Sequence, residues 1–214
     1  MDPAAVQEVS ARLEAIDAGL QWLAAHQTPA GCWEAANLAW CRGKQGTISP
    51  DGAGQKQYDL GVTGLATCAF LIAGHAPGSS SPYASTVADA LAWLVSQQAA
   101  SGCIGALTST HYIYNHAFAT LALVDAFGLT GDPAFLAASQ KALAFSETAR
   151  HPAAAWRYAI RDDPSDTSAT GCVGMPFCAA ARINDAAAAA GLVEPFSIED
   201  QLCEGERSWL DRMT

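Results

Sequence analysis

Two carboxylates three residues apart, Asp163 and Asp166 in the stretch Asp163-Pro164-Ser165-Asp166-Thr167, are the residues with the clearest capacity for acid–base chemistry. A pair of this kind could protonate an apolar substrate. Facing each other across a groove at roughly 5 to 10 Å, carboxylates could also cleave a glycosidic bond. A simpler role competes with both: Asp166 has the position of a helix N-cap, and Asp163-Pro164 that of a turn. His111 and His116 stand five apart around Tyr112, Tyr114 and Asn115, a spacing that straddles a helix start, and no nearby cysteine completes a zinc-ligand set. No metal and no cofactor is expected. The seven cysteines are an odd number and form no Cys-x-x-Cys pair, so reduced, structural thiols and a cytoplasmic location are expected.

These residues need a scaffold, and its outline recurs along the chain. Trp22, Gln27, Gly31 and Trp33 are followed at the same offsets by Trp93, Gln98, Gly102 and Ile104. Phe145, Arg150, Ala154 and Trp156 form a weaker third set, and Trp209 starts a shortened fourth. In each set the aromatic residue falls in the last turns of an amphipathic helix. The polar residue sits at its C-terminal end, where it can bond free carbonyls, and the glycine permits a tight turn. Between the sets lie second helices: Asp59-x-x-x-Thr63-Gly64 is matched by Asp166-x-x-x-Thr170-Gly171, with Asn115 beginning a third. Alanine abundance and scarce isoleucine favour close-packed helices.

Seven helices are predicted, near 5–26, 59–74, 83–98, 112–128, 133–149, 167–190 and 200–213, with Pro176 kinking the sixth. Gly74, Gly128 and Gly191 are expected to end helices. The glycine-rich stretch from Glu34 to Tyr58 reads as a long loop. No composition break divides residues 1–214, so a single domain is expected.

The formal net charge of −10, with only 11 basic residues, removes the electrostatic term on which nucleic-acid binding depends and disfavours an anionic membrane surface. No stretch reaches the ~18 to 20 apolar residues of a membrane span, and Met1 to Arg12 lacks the pattern of an export signal.

The run from Trp22 to Trp33, with its Gln27, Gly31 and Trp33, resembles the terpenoid cyclase and protein prenyltransferase repeat family, and the likeness extends over nearly the whole chain. It is most similar to bacterial prenyltransferase and squalene oxidase repeat proteins. The resemblance implies an all-α fold of helix hairpins forming an arc or partial α/α toroid. A full ring takes about six hairpins, so this chain implies an open arc, a fragment, or half of an assembly completed by a homo-oligomer. In the alkene-protonating cyclases of the family, the third residue of an Asp-x-Asp-Asp-Thr motif donates the proton; here that position is Ser165, too weak an acid for the task. The prenyltransferase Asp-x-Cys zinc pair is absent, and Cys203-Glu204-Gly205-Glu206 does not reproduce the thioester sequence of a third toroid family.

In such an arc the N-terminal ends of the inner helices converge on one rim. That rim is expected to hold Tyr58, Asp59, Tyr114, Asn115, His116, Trp156, Arg157, Tyr158, Asp163 and Asp166. The expectation is a non-catalytic repeat module that binds a partner protein or an apolar small molecule, with enzymatic activity left open. An isoprenoid enzyme and a carbohydrate-active toroid are the alternatives.

Overall fold

The computed structural model describes residues 3–36, 54–109, 111–151, 155–162 and 166–198. The chain is all-α. Six helices follow one another: α1 (Pro3–His26), α2 (Asp59–Ile72), α3 (Ala84–Ser96), α4 (Tyr112–Thr130), α5 (Pro133–Ala149) and α6 (Thr167–Ala189), with a 3₁₀ turn at Lys56–Tyr58 before α2. No strand forms among the described residues; Gln98 and Ile104 make one isolated bridge. The expected helix at 200–213 lies outside the described residues.

α2, α4 and α6 pack side by side in that order, α4 having the most extensive contacts with both neighbours. α3 lies against α2, α5 against α4, and α1 touches α2. The interior divides into two apolar clusters. One is built on Phe70, Leu91, Leu94, Ile104 and Leu123, the other on Ile113, Leu143, Trp156, Val173 and Phe177, and Leu121 of α4 packs against both.

The ends of the helices follow ordinary chemistry, with one instructive departure. Asp132 and Asp166 cap α5 and α6 by accepting from Ala134 N and Ala169 N, and Pro133 opens α5 where its missing N–H costs nothing. Gly74 and Gly191 follow α2 and α6 with φ of 85° and 72°. Gly128, expected to end α4, is instead inside it, and the helix runs on to Thr130 with Gly131 as its left-handed stop. A Cβ on Gly128 would sit 2.9 Å from Ile183 Cδ1, so this glycine admits α6 rather than terminating α4. Asn115, expected to open a helix, lies one turn inside α4, which begins at Tyr112. Pro176 is inside α6, and the helix continues through it.

The turns after α1 and α3 are built alike. Gln27 Nε2 donates to Gly31 O at 2.9 Å and to Thr86 O of α3 at 2.8 Å. Gln98 Nε2 donates to Gly102 O at 3.2 Å and to Ala138 O of α5 at 2.9 Å. The glutamines therefore tie each turn to the next helix but one, instead of capping their own helix as expected. Gly31 and Gly102 have φ of 90° and 97°, and a Cβ on either would strike a backbone carbonyl of that same neighbour, Asp89 O or Lys141 O. Both glycines are required twice over, by conformation and by space.

Candidate functional site

The chain that leaves each turn must enter the next helix through the interior, where a bare amide is costly. Three side chains meet three such amides. Trp33 N donates to Thr63 Oγ1 at 3.0 Å, Ile104 N to His116 Nδ1 at 3.0 Å, and Trp156 N to Thr170 Oγ1 at 3.1 Å. Trp33 and Trp156 also donate from Nε1 to carbonyls ten residues upstream, Leu23 O and Ser146 O, and stack on Phe70 and Phe177 at 6.2 and 6.1 Å. Trp156 is thus buried beside the start of α6, its carbonyl accepting from Asp166 N at 2.9 Å.

His116 is likewise interior, with no exposed surface. Because Nδ1 accepts from Ile104 N, the ring proton belongs on Nε2, which faces Ser146 Oγ at 3.0 Å and Ala142 O at 3.2 Å. Burial pushes the imidazole down to about 4 from its ordinary 6.5, against the pull of Ala142 O. The ring is neutral and fully occupied.

The remaining rim residues that the structure describes lie around the starts of α2, α4 and α6. Asn115 links two elements, donating from Nδ2 to Gln57 O at 2.6 Å and accepting at Oδ1 from Gly61 N at 3.1 Å. Asp59 accepts from Ala35 N at 2.7 Å. Burial raises its carboxyl above the usual range, the Ala35 amide opposing and Glu34 reinforcing the shift. Tyr58 meets His111 edge to face at 5.1 Å. With Val62, Leu65, Tyr114 and Phe118 they border a shallow apolar depression of about 230 Å³.

Beside it, Tyr114 and Tyr158 lie 6.3 Å apart and reach the cap of α6. Tyr158 OH donates to Asp166 Oδ2 at 3.0 Å, Ser168 Oγ to Asp166 Oδ1 at 2.6 Å, and Tyr114 OH shares a bond with Ser168 Oγ at 2.7 Å. The Ser168 hydroxyl and the Ala169 amide hold the Asp166 carboxyl below the usual carboxylate range. It is an ionised acceptor. Arg157 lies over the Tyr158 ring at 5.5 Å and pairs with Asp162 at 3.8 Å. Asp163 lies outside the described residues. Among the described residues, no three His, Cys, Asp or Glu side chains gather as metal ligands would, and no helix is long and apolar enough to cross a membrane.

A larger concavity lies elsewhere, along the flanks of α4 and α6 toward the end of α2. It encloses about 730 Å³ between Leu71 and Ile72 of α2, Leu121, Asp125 and Leu129 of α4, and Gly171, Gly174, Met175, Cys178, Arg182 and Ile183 of α6. Its wall is mostly aliphatic and carries no aromatic ring. Asp125 and Arg182 supply opposite charges: burial raises the Asp125 carboxyl, and Arg182 draws it back down. Sequence reasoning missed this groove. The available signal was the register of Gly171, Met175, Cys178 and Arg182, which share one face of a helix at spacings of three and four.

Comparison of the chain with known protein families, with curated proteins and with solved structures returns no match.

Proposed function

We propose that the chain is a non-catalytic binding module, an arc of helix hairpins of the terpenoid cyclase and prenyltransferase repeat type, that holds an apolar small molecule in the groove along α4 and α6. The order of contacts from α2 through α4 to α6, with α1, α3 and α5 alongside, supports the arc. So does the recurrence of the same turn bonds at Gln27 and Gln98. The observation that carries the function is the groove itself: aliphatic walls, three glycines and a single carboxylate, Asp125. Such a wall favours an apolar body through burial, while Asp125 and Arg182 can orient one polar end.

The two enzymatic readings draw less support. A site that guides carbocations gains from aromatic faces, and the groove has none. A glycosidase needs two opposed carboxylates, whereas one lines this groove. Asp166 serves as a cap with both oxygens engaged, which suits an anchor better than a proton donor.

Gly171→Phe tests the proposal, because Gly171 lines the groove and a Cβ there meets nothing within 4 Å, so the added side chain starts in open space. An apolar fluorescent probe should bind the native protein and bind the variant at least about tenfold more weakly, with helix content unchanged. Native mass spectrometry with organic extraction should recover an apolar molecule from the native protein alone. Equal probe binding by both proteins refutes the groove. Turnover of squalene or a prenyl diphosphate that disappears in Asp166→Ala would favour the isoprenoid enzyme instead.

A further inference from the structure

Asp125 stands one turn after Leu121 and one turn before Leu129 on α4, and all three line the groove between α4 and α6. It is the one carboxylate of that wall, and Arg182 of α6 is the one cation. Asp17, Asp59, Asp132 and Asp166 each accept hydrogen bonds from this chain. Asp125 is half-buried, yet accepts none from the described residues, and its oxygens are not sealed off from the groove. Arg182 likewise makes no hydrogen bond or ion pair among the described residues, although it lies close enough to oppose the rise that burial imposes on the Asp125 carboxyl. On the other side, the buried thiol of Cys68 on α2 is pushed up to about 12, first by burial and then by the charge of Asp125. The carboxylate therefore lies toward the inner, α2 side of the groove.

A half-buried carboxylate among aliphatic side chains gives up hydration, and no bond within the described chain offsets that loss. Two opposite charges that sense each other without pairing leave a gap with an acceptor on one side and donors on the other. We propose, resting on the reading of this groove as an apolar binding site, that its ligand is an apolar molecule with one neutral polar end that both donates and accepts, as an alcohol does. The hydroxyl proton goes to Asp125, and the hydroxyl oxygen accepts from Arg182. Charged ends fit less well. An ammonium only donates and meets the repulsion of Arg182; a carboxylate or phosphate only accepts and meets that of Asp125. The formal net charge of −10 weighs further against an anion. A plain hydrocarbon fills the groove but leaves Asp125 without a donor.

Displacement of the apolar fluorescent probe from the full chain at pH 7 by 1-decanol, decanoate and decylammonium, each below its aggregation concentration, tests the head group with the apolar body held constant. 1-Decanol should displace the probe at a concentration at least about tenfold lower than either ion requires. Asp125→Leu should reverse the order in favour of decanoate, and Arg182→Met in favour of decylammonium, each by a shift of about tenfold. The unfolding temperature of Asp125→Leu should be equal to or above that of the native protein, since no bond of the chain is lost; a fall of several degrees would show that the carboxylate serves the scaffold and overturn the inference. If the probe binds the native protein and is lost in Gly171→Phe, but the three ligands compete equally or their order is the same in Asp125→Leu, the groove stands and the head-group inference is overturned. A probe that does not bind the native protein overturns both.

Discussion

Replacing His116 by threonine should abolish a component of the protein's acid sensitivity. The imidazole is fully buried, accepts from Ile104 N, and faces Ser146 and Ala142 through Nε2. Its folded value of about 4 lies below the ordinary 6.5. Between those values the unfolded chain binds a proton that the folded chain refuses, so stability is complete above about pH 6.5 and declines as pH falls toward 4. At 1.36 kcal/mol per unit, the interval amounts to roughly 3 kcal/mol. Threonine is the informative replacement because Thr63 and Thr170 already serve the amides of Trp33 and Trp156. The variant keeps an acceptor in range of Ile104 N but leaves a void and loses the Nε2 bond, at a cost of about 2 to 3 kcal/mol near neutrality. Urea unfolding of both proteins at several values from pH 7.5 to 4 gives the difference directly, and other titrating groups cancel in it. The variant's deficit should shrink and vanish toward pH 4. Parallel stability curves for the two proteins would show that His116 is not held neutral by the fold, and the reasoning about its burial would fail.

Gly102→Ala should cost about 3 kcal/mol or more in the same assay, because φ is 97° and the new methyl meets Lys141 O. Gly131→Ala, at φ of 66° with open space around it, should cost only about 1 kcal/mol; equal losses would show that the approach of α5 imposes no constraint at Gly102. Asp166→Ala should cost about 1 kcal/mol for the lost cap, whereas Asp166→Asn, which keeps an acceptor for the Ala169 amide, should cost less. The Asp166 carboxyl lies below its ordinary 3.8, so its contribution is present above that pH and fades as pH falls through the lowered value. A deficit of Asp166→Ala that grows on acidification would contradict the cap.

The helices were legible where the chain announces them locally. Asp166 is an N-terminal signal that acts within one turn and caps as read, and Asp132-Pro133 opens α5 at the start expected for that helix. Contacts made across long separations were not legible. Gly128 looks like a stop signal in sequence, but its neighbour is Ile183, 55 positions away, and nothing local distinguishes a glycine for approach from a glycine for termination. Asn115 resembled Asp59 and Asp166 as a helix opener. The structural counterpart of their common pattern is instead His116, which meets the Ile104 amide as Thr63 and Thr170 meet those of Trp33 and Trp156. Threonine and histidine share an acceptor atom and little else, so a comparison of residue types passes over the match. The groove escaped for the same reason as Gly128, since its walls come from three helices far apart in the chain.

Placement by itself does not make a residue reactive, and the rim illustrates the distinction. Tyr58, Asp59, Tyr114, Asn115, Tyr158 and Asp166 all gather at the starts of three helices, where free amides and aligned dipoles attract acceptors. Asn115 and Asp166 answer that attraction with bonds to Gly61 N and Ala169 N, whereas Asp59 accepts from the non-helical amide of Ala35. An acid with both oxygens engaged loses the proton that catalysis would require, and the bonds that stabilise its ionised form also fix its position. Tyr112 is different: its hydroxyl is buried with no hydrogen-bond partner among the described residues, and burial pushes it up to about 12. At that value the phenol stays protonated at neutral pH and keeps its hydroxyl proton to donate. Polar groups at the helix starts thus serve the scaffold, whereas the aliphatic flank of α4 and α6 has open volume and little hydrogen bonding of its own. On the proposed function, an apolar guest there would displace water from Leu71, Leu121 and Ile183 and leave the hydrogen bonds of Asp59, Asn115 and Asp166 untouched.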